Sequence, residues 1–100
     1  ISLEIELKMD YYVYVPNTFT PNGDIINDRI KVEAIGIEGL VWQIFNRWGL
    51  MVFSTDKLQD SWDGKINGKE SPEGVYSYKI ILFLPFGDIK EQTGIFTLVR

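Results

Sequence analysis

The sequence predicts an all-β, Ig-like antiparallel β-sandwich of about seven short strands. Three observations lead there. Apolar and polar residues alternate in short stretches, the period of a half-exposed strand. Turn chemistry recurs between those stretches, at Pro21-Asn22-Gly23-Asp24, Asp63-Gly64, Asn67-Gly68, Pro72-Glu73-Gly74 and Pro85-Phe86-Gly87-Asp88. No stretch sustains a helical period. A partly closed barrel fits the same pattern and stands as the alternative. The 100 residues are expected to form a single domain, 1–100, that buries roughly two-thirds of its unfolded surface.

In chain order, residues 2–10 put Leu3, Ile5, Leu7 and Met9 on one face and Ser2, Glu4, Glu6, Lys8 and Asp10 on the other. Residues 11–15 continue extended, with Val13 and Val15 on one side and Tyr12 and Tyr14 on the other. Pro16 lacks an N–H and ends that pairing or places it at an edge. Residues 17–28 read as a loop. Residues 29–35 alternate again, with Ile30, Val32 and Ala34 inward and Lys31 and Glu33 outward. The predicted centre is 41–53, VWQIFNRWGLMVF, a hairpin turning at Asn46-Arg47-Trp48-Gly49. Trp42 and Ile44 share one face of it, Val41 and Phe45 the other; Met51 and Phe53 face away from Leu50 and Val52. Apolar residues on both faces suit a central pair covered on both sides, and Gly49 suits the positive φ of the turn. A polar loop, 54–61, leads to Trp62-Asp63-Gly64. Residues 75–84 form a long strand with Tyr76, Tyr78, Ile80 and Leu82 aligned. Residues 89–99 return, with Phe96 and Leu98 facing away from Ile95 and Val99. Gly94 within that strand predicts a bulge.

Composition removes whole classes of function. With 45% hydrophobic and 14% aromatic residues the chain is not of a disordered type. A net charge of −4 offers no basic face to nucleic acid. The absence of cysteine leaves no disulfide, thiolate nucleophile or zinc–thiolate site. The absence of histidine removes the commonest general base and the commonest metal ligand. Glu4, Glu6, Glu70 and Glu73 are scattered, unlike the paired acids of a hydrolase. No enzyme and no cofactor are expected. The longest apolar run, 80–84, is far short of a membrane span. No signal peptide is read at residues 1–4. A chain that begins with Ile is expected to be a piece of a longer protein.

Three constellations could carry function. Asn22, Asp24, Asn27 and Asp28 gather side-chain oxygens in one loop. Asx-turns within that loop are the favoured reading; a calcium site, with Asn22, Asp24 and Asp28 as ligands, is the lesser one. Arg47 and Trp48 read either as an exposed hot spot for a protein or as an Arg–indole stack packed back over the sheet end, the latter preferred. Trp42, Trp48 and Trp62 could form a sugar platform, but Trp62 is expected in the core, with Asp63 accepting backbone N–H bonds in its turn. Tyr11, Tyr12, Tyr14, Tyr76 and Tyr78 are expected as cross-strand pairs with their hydroxyls at water.

Several of these segments, taken in order, carry a resemblance. They are Val15-Pro16-Asn17-Thr18-Phe19-Thr20-Pro21-Asn22-Gly23-Asp24, then Ile26-Asn27-Asp28, Ile44-Phe45-Asn46-Arg47-Trp48-Gly49, Trp62-Asp63-Gly64, Asn67-Gly68-Lys69, Gly74-Val75-Tyr76 and the run from Gly94 to Arg100. Together they resemble the gliding-motility-associated C-terminal domain of Bacteroidetes, the type B sorting domain of the type IX secretion system. The family's usual loop has a second Gly where this chain has Ile25. The resemblance implies an export address, with Arg100 as the natural C-terminus and cargo upstream in the same chain. It implies passage through the periplasm, a reader among the outer-membrane components of the system, and delivery to the cell surface or the medium. Partner contacts are expected at Arg47 and Trp48 and along the last strand, at Thr97, Leu98, Val99 and Arg100. An Ig-like spacer or carbohydrate-binding module of a surface protein is the alternative.

Overall fold

The computed structural model describes residues 11–21 and 28–100. The predicted strand over 2–10 and the Asn22-Gly23 turn lie outside them. The remainder is all-β, as the alternation predicts. Its elements are β1 (Tyr12–Tyr14), β2 (Thr18–Phe19), β3 (Glu33–Ile35), β4 (Gly39–Phe45), β5 (Met51–Thr55), β6 (Lys65–Ile66), β7 (Lys69–Glu70), β8 (Gly74–Phe83) and β9 (Ile89–Leu98).

The principal sheet has the order β2-β9-β8-β4-β5. Its spine is the β8–β9 hairpin, in continuous antiparallel register from Gly74↔Leu98 to Phe83↔Ile89. The two-residue side-chain period puts Tyr76, Ile80 and Leu82 of β8 on one face. Leu40, Trp42 and Ile44 of β4 and Phe96 and Leu98 of β9 join them, all buried. A second layer covers that face. It contains the β1–β3 pair, with Val13 and Ala34 turned to the core, and the loop residues Ile30, Val32 and Trp62. Ile30 and Trp62 hold each other by reciprocal backbone hydrogen bonds of 2.9 Å. Burial of each large apolar side chain stabilises the fold by about 1.5–3 kcal/mol.

Trp62 is the hub of this core, 2% exposed. Its ring meets Phe19, Phe53, Tyr76 and Phe96 at centroid separations of 5.4–6.5 Å. Its indole N–H donates to the carbonyl of Lys65 at 3.0 Å, which satisfies the polar edge of a buried ring. The order β9-β8-β4-β5 matches the G-F-C-C′ order of a variable-type Ig sheet. Tyr76, near the start of β8, donates its hydroxyl to the carbonyl of Pro72 at 2.6 Å, the tyrosine-corner bond of Ig sandwiches.

The structure departs from the predicted elements at five places. The 41–53 hairpin is not a central pair: β8 is the middle strand, and β5 is an edge. Its register slips between Ile44↔Phe53 and Phe45↔Met51, so Val52 is the extra residue of a bulge. Phe53 therefore reaches the core beside Trp42, whereas Met51 is exposed on the outer face. The expected 17–28 loop contains β2, which runs parallel to β9 at Thr18↔Thr97 and Phe19↔Leu98. This is a two-residue strand, too short to show a period. The 54–61 loop starts late, because β5 runs to Thr55. Gly94 forms no bulge but sits opposite Tyr78 in unbroken register. The Tyr76 hydroxyl is bonded inside the corner rather than open to water.

Candidate functional site

Two clusters sit at the end of the principal sheet where β4 turns into β5. The first is the turn itself. The Asn46 amide N–H donates to the carbonyl of Leu50 at 2.9 Å, and Gly49 N–H donates to the carbonyl of Asn46 at 3.0 Å. The Asn46 side-chain oxygen accepts from the N–H groups of Trp48 and Leu50 at 2.9 and 3.0 Å. One short amide side chain thus fixes four consecutive residues, and Gly49 has the expected positive φ of 83°. Arg47 lies over the Trp48 ring, 5.1 Å from its centroid. The expected Arg–indole stack is present, but not packed back over the sheet: Trp48 is 70% exposed.

Around this turn the outer face of the sheet is apolar. Register aligns Ile95 with Ser77, Ser77 with Phe45, and Phe45 with Met51. Leu50, Met51, Val75 and Ile95 are all exposed. These four were not singled out in the sequence as contacts. For Val75 and Ile95 the signal was available in the alternation, because odd-numbered residues of β8 and β9 had to face away from Tyr76 and Phe96; for Met51 the bulge at Val52 hid it. Thr97, paired with Val75, is half-buried on the same face.

The second cluster ties down the chain end. The guanidinium of Arg100 donates from Nε to the carbonyl of Ser71 at 3.0 Å, and from Nη2 to the carbonyls of Ser71 and Gly64 at 2.7 and 3.0 Å. Its other nitrogen is 3.8 Å from Glu70, and its backbone N–H donates to Glu73 at 3.2 Å. Tyr76 lies beneath this cluster. Burial pushes its hydroxyl above the ordinary tyrosine range; the Ser71 hydroxyl and the charges of Arg100 and Arg47 pull weakly the other way. Ser71 Oγ is buried against Tyr76 without reaching strict hydrogen-bonding geometry.

The remaining expected residues fall as follows. Leu98 is fully buried, so its side chain is not a surface contact; Val99 is exposed. Asp63 accepts from Lys65 N–H at 3.0 Å, as expected, and lies 3.9 Å from Arg29. Gly64 packs where a Cβ would meet Pro21 at 3.2 Å and Phe19 and Leu98 at 3.4 Å. Phe45 is half-buried on the outer face, and Gly74 opens β8. Asn22, Gly23, Asp24 and Asn27 lie outside the described residues, and with them most of the calcium candidate. Among the described residues no group of three acids could hold a metal ion. The three-tryptophan platform does not form, because Trp42 and Trp62 are buried and point inward. Among the described residues no helix is long and apolar enough to cross a membrane.

The outward equipment of the fold is therefore a stiff surface carrying an Arg–Trp turn. The model of the CHU_C type IX secretion signal domain matches residues 13–98. No individual curated protein matches the chain. The match starts in β1 and stops at the last residue of β9, so the chain belongs to the type IX secretion signal domain family and serves as a sorting signal for export to the cell surface or medium.

Proposed function

We propose that the folded sandwich itself is the address. It is read in the periplasm by an outer-membrane component of the type IX apparatus, and it carries cargo joined to it in the same polypeptide. The observation that supports this reading is the extent of the family match, which runs from β1 to β9 rather than over a short tail. A sheet holds its side chains in place before contact, so recognition costs little further ordering entropy. The proposed contact is the end of the sheet where Arg47 and Trp48 stand, continuous with the outer face of the last strand at Thr97 and Val99. Leu98 and Arg100 support that strand from within. The type IX signal family is not a catalytic family, and the surface role needs no reacting group.

The test is a neutral reporter, given an inner-membrane signal peptide and fused ahead of this chain, in a strain with an active type IX system. Export of the reporter is expected with the intact chain. Loss is expected when Trp62→Asp breaks the core, and with residues 88–100 alone. Equal export by that thirteen-residue tail would show that a linear tag, and not the fold, is read.

A further inference from the structure

We infer that the cleft beside Trp48 receives an apolar side chain of a protein component of the secretion machinery, with a carboxylate next to it set against Arg47. This rests on the reading of the chain as a signal recognised in its folded form. The cleft lies between the β4–β5 turn and the corner that leads into β8. Val52, Ile66, Pro72 and Val75 line it together with Arg47 and Trp48. It measures about 40 Å3, on a measure where one water needs roughly 10–15 Å3. That room suits the end of one aliphatic side chain.

Charge selects the neighbour of that side chain. The chain has three arginines. Arg29 pairs with Asp63 and Arg100 with Glu70. Arg47 forms no ion pair among the described residues, and it lies over the exposed face of Trp48. Glu73, on the far rim, is engaged by the N–H of Arg100. Glu73 keeps its charge, so the lining carries one charge of each sign, and Arg47, which forms no ion pair among the described residues, is the group there that can take a further carboxylate in two-pronged geometry. Exposed Leu50, Met51, Val75 and Ile95 extend the apolar surface outward, as an anchor surrounded by water-excluding contacts requires. Phe86, at the opposite end of the sheet and 88% exposed, has neither a described cleft nor an arginine beside it and provides the control.

The experiment is the reporter fusion with single substitutions, each checked for an unchanged urea midpoint in the purified chain. Trp48→Ala and Arg47→Glu are expected to cut exported reporter at least tenfold. Arg47→Leu is expected to lose most of it, Arg47→Lys to keep only part of it because an ammonium lacks the planar fork, and Phe86→Ala to export as the parent does. Parent-level export by both Trp48→Ala and Arg47→Glu overturns the inference while leaving the secretion reading intact. Parent-level export by Arg47→Glu alone overturns its carboxylate half. Failure of the parent fusion to leave the cell overturns the reading on which the inference rests.

Discussion

Gly94 lies directly under the phenol ring of Tyr78. The two residues are partners across the β8–β9 register, and a Cβ built on Gly94 would come within 2.6 Å of the Tyr78 Cζ and 2.9 Å of its Cε2. The ring covers the bare backbone and stacks on Phe96 at 6.5 Å. Gly94→Ala must push the ring aside, at a cost of about 1–3 kcal/mol typical of overpacking. In a Tyr78→Ala background the same substitution should be neutral or stabilising by about 0.5–1 kcal/mol, because Gly weakens a strand. A double-mutant cycle by urea denaturation measures the coupling.

The bond from Tyr76 to Pro72 locks the corner before β8, and it predicts an alkaline sensitivity. Tyr76→Phe should cost about 1 kcal/mol at neutral pH, the usual net value of one hydrogen bond. Burial raises the folded-state pKa of this hydroxyl above the ordinary 10.0. Above pH 10 the unfolded chain then holds fewer protons at this site than the folded one, so stability falls as pH rises. The contribution is whole below pH 10 and is lost as pH rises through the folded value. Denaturation midpoints at pH 8 and pH 11 should differ less for Tyr76→Phe than for the parent.

How much of this was readable follows from what sequence patterns encode. The alternation in 75–84 and 89–99 placed Tyr76, Ile80, Leu82, Phe96 and Leu98 correctly, because a two-residue period is local. Asn46-Arg47-Trp48-Gly49 was legible as a turn for the same reason. Strand order was not: nothing near Thr18 and Phe19 reveals that they pair with Thr97 and Leu98 almost eighty residues on. The Val52 bulge was hidden because a slipped residue breaks the very alternation that would announce it. Trp48 was expected to pack back over the sheet end beneath Arg47. Its exposure depends on the Asn46 bonds, which set the direction of the turn. The Arg100 cluster was out of reach, since its acceptors are carbonyls, which every residue has.

Arg100 binds the last residue of the chain to the Gly64–Ser71 segment. Two of its nitrogens reach the Ser71 carbonyl, and its side chain is only 21% exposed. Arg100→Ala should destabilise by about 1.5–3 kcal/mol, the range for hydrogen bonds to a charged group. Arg100→Lys should recover part of this, since an ammonium can donate to one carbonyl but lacks the planar fork. Glu70→Ala should change stability by less than about 1 kcal/mol, because Glu70 is largely exposed and the pair is screened. Urea titration of the three variants orders them.

Asn46 controls the one tryptophan that solvent can reach. Trp42 and Trp62 are 1% and 2% exposed, so quenching of indole emission by acrylamide reports almost entirely on Trp48. Asn46→Ala removes the acceptor for the N–H groups of Trp48 and Leu50 and should cost about 1 kcal/mol, since both groups can turn to water. The larger effect should be geometric. Without the Asn46 oxygen the turn samples other conformations, the Arg47–Trp48 stack loosens, and Trp48 should be quenched more readily with faster local motion in fluorescence anisotropy decay. Asn46→Asp keeps the acceptor and should retain the parent quenching constant. If the stacked turn is what the secretion machinery grips, export of a fused reporter should fall for Asn46→Ala and hold for Asn46→Asp, in step with the anisotropy and not with the small change in stability.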